Sequence, residues 1–77
     1  MENINDEKLL LLIGEKIKEL RVKAGYSNQE KFSREADLPR AQYGRYENGQ
    51  NMTILSLFKI LKFHEISFED FFKSLKM

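Results

Sequence analysis

The chain has 77 residues, with 13 Lys and Arg against 12 Asp and Glu, and the resulting net charge of +1 does not by itself mark a polyanion binder. It contains no cysteine, which excludes a disulfide framework and a thiolate metal site and fits a reducing cytoplasm. No apolar run is long enough to span a bilayer, so no membrane partner is expected, and the acidic start Met-Glu-Asn-Ile-Asn-Asp-Glu lacks the basic region of a signal peptide.

Residues 1–5 are expected to fray and residues 6–77 to form one small domain. A helix is predicted from Asp6 to Ala24, with Leu9, Leu10, Ile13, Ile17, Leu20 and Ala24 as its buried stripe. Gly25 ends it, and Lys23 lies near the negative end of the helix dipole. Leu11 and Val22 fall on the opposite side of the wheel. They read either as scattered surface apolar residues or as a partner surface.

The next stretch, residues 28–49, holds two short helical patterns separated by an Ala-Asp-Leu-Pro turn. The first covers 28–36, with Phe32 and Ala36 one turn apart on a common face. Ser27 followed by Glu30 reads as its capping box. The second pattern begins at Pro39, taken as the first helical position because proline lacks the N–H that would be unpaired there. Tyr43 and Tyr46 share its inner face, and Gly49 stops it. Two helices joined so tightly can stand at a steep angle if a small residue occupies their crossing, and Ser33 supplies one. The free face of the second helix then carries Ala41, Gly44, Arg45 and Asn48, flanked by Arg40 and Gln42.

A polar loop, Asn48 to Asn51, leads to Thr53 as the N-cap of a helix over 54–63. Ile54, Leu57, Ile60 and Leu61 form its inner stripe, while Lys59 and Lys62 face out. Ser67, with Asp70 three residues on, starts a last short helix packed by Phe68, Phe71 and Phe72. The only histidine, His64, has no cysteine or helical carboxylate beside it and reads as a half-buried side chain at a helix end, so no metal site is expected. Glu69 and Asp70 are adjacent and diverge on a helix, which suits capping charges better than a catalytic pair. No nucleophile with its base and no phosphate-binding glycine loop is present, so neither an enzyme nor a cofactor is expected.

The motif, together with Ile13-Gly14-Glu15-Lys16-Ile17-Lys18-Glu19-Leu20-Arg21 before it and Asn51-Met52-Thr53 through Phe72 after it, resembles the phage lambda-repressor and Cro-like (XRE) helix-turn-helix transcriptional regulators. The likeness covers roughly residues 13–72. It implies an all-α, five-helix, lambda-repressor-like DNA-binding domain whose second motif helix enters the major groove of double-stranded DNA. Matched residue by residue, Arg40, Ala41, Gln42 and Arg45 fall at base-reading positions. Arginine can bond guanine O6 and N7 together, glutamine can do the same with adenine, and alanine can touch a thymine methyl. Gln29 matches the family's phosphate-binding glutamine, with Asn28, Asn48, Gln50 and Asn51 as further backbone clamps.

Asp37 stands where the family often has glycine, and Pro39 where it often has a hydroxyl cap. Gly44 lowers helix propensity, with either close approach to DNA or relief of a clash as its benefit. Acids and bases balance within the motif, so one copy should bind weakly and a homodimer is expected. Its interface is sought in Leu55, Phe63, Phe71, Phe72, Leu75 and Met77, and secondarily in Leu11 and Leu12. Two alternatives carry over: an antitoxin-type module that binds DNA and a protein partner, and a protein-interaction domain that has lost DNA binding.

Overall fold

The computed structural model describes residues 4–75. It contains α1 (Asp6–Lys23), α2 (Gln29–Glu35), α3 (Arg40–Glu47), α4 (Ile54–His64) and α5 (Phe68–Ser74), with no strand among the described residues. Of the five residues expected to fray, 1–3 lie outside the described part. Asn5 instead caps α1, its Oδ1 accepting from the Lys8 N–H at 2.8 Å. Asparagine is among the best residues for that position, because its short side chain reaches an N–H left unpaired in the first turn.

The remaining caps refine the sequence reading in two places. Asn28, not Ser27, caps α2, accepting from the Lys31 N–H at 3.0 Å, so the helix begins one residue later than the capping-box pattern implies. Pro39 occupies the N-cap of α3 with extended backbone and makes no side-chain cap bond; the first helical residue is Arg40. Thr53 and Ser67 cap α4 and α5 as expected, accepting from the Ser56 and Asp70 N–H groups. Asp37 takes the left-handed conformation, with φ of 61°. Its short polar side chain tolerates that geometry better than most.

The core is centred on Phe32. Its ring meets Tyr26 and Phe63 edge-on, tilts against Tyr43, and stacks on His64 with centroids 5.2 Å apart. Ile13, Ile17, Ala36, Leu38, Tyr46, Leu57, Ile60, Leu61, Phe71 and Leu75 complete the buried apolar set. His64 is half-buried at the end of α4, and burial holds its imidazole below the ordinary pKa. Two residues assigned to inner stripes are exposed. Ala24 lies past the last turn as the C-cap of α1, and Ile54, at the start of α4, lies toward exposed Phe58.

Gly14 settles how α1 and α3 meet. A Cβ at this position would lie 2.7 Å from the carbonyl oxygens of both Tyr46 and Glu47. The end of α3 therefore presses its backbone onto α1 at a place that admits no side chain.

Candidate nucleic-acid interface

The turn between α2 and α3 fixes how α3 is presented. Ser33 is buried at the crossing, its hydroxyl donating to the Glu30 carbonyl at 3.0 Å and its own carbonyl accepting from the Leu38 N–H at 2.8 Å. Tyr43 and Tyr46 face inward. The Tyr46 hydroxyl donates to Ser56 Oγ at 3.2 Å, whereas the Tyr43 hydroxyl is enclosed without a well-formed hydrogen bond. With that face committed to the core, Arg40, Ala41, Gln42, Arg45 and Asn48 are left exposed, and Gly44 is half-exposed among them.

Charge is segregated across the motif although its totals balance. Arg21 and Glu47 form an enclosed pair, Nε to Oε2 at 2.7 Å and Nη2 to Oε1 at 3.2 Å, with side chains 6% and 2% exposed. Glu30 is engaged by Arg34, Glu35 accepts from the Tyr26 hydroxyl, and Asp37 meets Lys59. Arg40 and Arg45 form no ion pair among the described residues. The free face of α3 therefore carries cationic groups while each acid of the motif is occupied elsewhere. Such an arrangement concentrates positive potential where an anionic surface would meet it.

The residues expected at a DNA backbone fall into two groups. Gln50 and Asn51 are exposed beside Arg45 and Gln42, lining a shallow cleft at the far end of α3. Asn28 and Gln29 are at the start of α2, where the Asn28 side-chain oxygen is already used as the cap. Gln29 is half-buried; its Nε2 donates to Glu47 Oε1 at 2.8 Å, and its Oε1 is 3.0 Å from where a Cβ on Gly44 would stand. Gly44 therefore relieves a clash with Gln29.

Sequence reasoning missed the Arg21–Glu47 pair. Glu47 lies one turn beyond Tyr43, on the inner face of α3, and a charge in that position requires a partner. That much is visible in the pattern, but the partner lies 26 residues away. Burial alone pushes the Glu47 carboxyl up. The hydrogen bonds from Arg21 and Gln29 and the Arg21 charge, with the Tyr43 hydroxyl nearby, outweigh it and hold the carboxyl below its ordinary value. The Glu47 hydrogen bond in turn raises Arg21.

The apolar surplus also changes place. Phe71 and Leu75 are buried in the core, and Phe63 and Phe72 pack partly against it, so these side chains complete the monomer; Met77 lies outside the described residues. The exposed apolar side chains on α4 are Ile54, Leu55 and Phe58, at 64%, 69% and 46% exposure, with the Phe68 ring stacked on Phe58. Leu11 and Val22 are exposed on α1, as expected, and Leu12 is half-buried.

The arrangement has close counterparts. A restriction-modification controller protein, C.Esp1396I, is 35% identical in its wild-type crystal structure, with 87% of each chain covered and a TM-score of 0.75. A point mutant of that protein matches equally, at 35% identity over 87% of this chain and 89% of its own, with a TM-score of 0.75. No curated protein matches the chain. The family described as Helix-turn-helix matches residues 17–71, from the middle of α1 into α5. The chain therefore belongs to the helix-turn-helix family of XRE, lambda-repressor type, and is a DNA-binding regulator rather than an enzyme.

Proposed function

We propose that the protein reads double-stranded DNA in the cytoplasm as a symmetric homodimer, with α3 of each copy in the major groove. Arg40, Ala41, Gln42 and Arg45 face base edges, while Asn28, Gln29, Asn48, Gln50 and Asn51 meet the sugar-phosphate backbone. The observation that carries this reading is the free face of α3, where two unpaired arginines stand exposed while the acids of the motif are engaged elsewhere. The likeness to a restriction-modification controller protein supports a regulatory output.

The exposed row Ile54, Leu55 and Phe58, with Phe68 beside it, is assigned to the second copy through an isologous contact. One such helix reaches only a few base pairs, and two copies on a pseudo-palindrome double the contacts at half-sites about 34–36 Å apart. An antitoxin-type module would use the same row for a different protein.

A fluorescence-anisotropy titration against random duplex at low salt, followed by selection from a random-sequence library, tests the reading. The expected result is salt-dependent binding and a selected site with two related halves. Sedimentation equilibrium with and without that duplex is expected to show two chains per site. One chain per site with full sequence selectivity would remove the dimer, and no binding to any duplex would leave the protein-interaction alternative.

A further inference from the structure

The Arg21–Glu47 pair is joined by a third polar side chain, from the start of α2. Glu47 Oε1 accepts from both Arg21 Nη2 and Gln29 Nε2, at 3.2 and 2.8 Å. A carboxylate oxygen can only accept, so it draws the –NH2 end of the Gln29 amide and turns the carbonyl end away. The carbonyl end then lies over Gly44, 3.0 Å from where a Cβ would be, so a side chain at this position would press on it and displace it. An isolated carboxylate here would add negative charge under the proposed DNA face, and Arg21 neutralises it from inside the fold.

We infer that Glu47, held by Arg21, is a positioning residue that sets the orientation of the Gln29 amide, with Gly44 as its seat. One N–H of Nε2 is bound to Glu47, and the second remains free to donate to a phosphate oxygen. The inference rests on the DNA-reading proposal and specifies how one of its backbone contacts is prepared. It makes Glu47 matter for binding although its side chain is enclosed.

Two variants disturb this arrangement from opposite sides. Gly44→Ala places a methyl group against Gln29 Oε1 and forces that flexible side chain to move, while improving helix propensity. It is expected to melt higher than the wild type, by roughly 2–5 °C, and to bind all duplexes about tenfold more weakly with a shallower salt dependence. The double variant Arg21→Met with Glu47→Leu replaces the buried pair by apolar side chains of similar bulk, a change that folded domains often tolerate. It is expected to lower affinity by the same factor and to keep the selected sequence. Adding Gln29→Ala to either variant should cause no further loss.

In the free protein, the Gln29 side-chain amide signals are expected to report a rigid group in the wild type and a mobile one in both variants. Wild-type affinity and salt slope in either folded variant, or a further full loss on adding Gln29→Ala, would overturn the positioning role. A wild-type chain that binds no duplex would overturn the DNA-reading proposal and this role with it. A rigid Gln29 in the free wild type together with normal DNA binding by the variants would overturn this role alone.

Discussion

The two ends of α3 are built in contrasting ways. At its C-terminal end, Tyr46 is buried, Glu47 is locked to Arg21, and the backbone carbonyls of both rest on Gly14 of α1. Asn48 and Gly49 close the helix, with the Gln50 N–H returning to the Arg45 carbonyl at 3.0 Å and Gly49 at φ of 89°. At its N-terminal end, Pro39 supplies no cap bond, and Arg40, Ala41 and Gln42 stand in the open. The helix is anchored where it meets the body and bare where it would meet a ligand. The stability of α3 thus comes from its buried face and its C-terminal anchor, and its proposed reading function from the exposed face, so substitutions should separate the two.

The largest effect is expected at the anchored end. Tyr46→Ala removes a buried ring and should cost about 3–5 kcal/mol, enough to unfold much of the population of so small a domain. Thermal melting followed by circular dichroism checks this, and an unchanged melting temperature would break the contrast. Gly14→Ala should cost about 1–3 kcal/mol, because its methyl meets backbone carbonyls that cannot swing aside. The measurement is urea unfolding.

On the exposed face of the same helix the sign of the comparison reverses. Arg45→Ala should leave the unfolding curve in place and lose about 1–3 kcal/mol of specific binding, with preference relaxed at one base pair. Selection with the variant decides it, since an unaltered site at unaltered affinity would remove Arg45 from base reading.

Acid should act on the anchored end. The folded Glu47 carboxyl is held below its ordinary value of 4.5, so its contribution is fully present above that pH and is lost as pH falls through the folded value. Urea unfolding at pH 6 and pH 3 should therefore show a steeper loss for the wild type than for Arg21→Met with Glu47→Leu. The smallest effect is expected at Pro39. Pro39→Ser restores a hydroxyl cap but frees the unfolded chain, and these opposing terms should leave a net change under about 1 kcal/mol. A loss comparable to Tyr46→Ala would mean that the N-terminal end is anchored after all.

Much of this organisation was legible along the chain. The period of Ile13, Ile17 and Leu20, the stop at Gly25 and the cap Thr53 mark α1 and α4 to within a residue of their observed bounds, and Ser67 marks the start of α5. The inward tyrosines and outward arginines of α3 follow from the same periodicity, because side chains one turn apart share a face. The choice between Ser27 and Asn28 as cap was not legible. Both residues can cap, and the start of α2 decides which side chain meets a free N–H.

Local chemistry by itself determined an all-helical chain, the position of the motif and the residues presented on its free face, since each depends on neighbours a few residues apart. Tertiary structure alone decided which of the many phenylalanines belong to the core, because α4 and α5 show a similar apolar density whether a partner or the monomer covers them. It placed Phe71 and Leu75 inside and left Ile54, Leu55 and Phe58 outside. It also decided that the acids of the motif are engaged away from the free face, and that Arg21, Gln29 and Glu47 meet. Their meeting joins three helices, and contacts between residues far apart in sequence arise from packing, which no local pattern encodes.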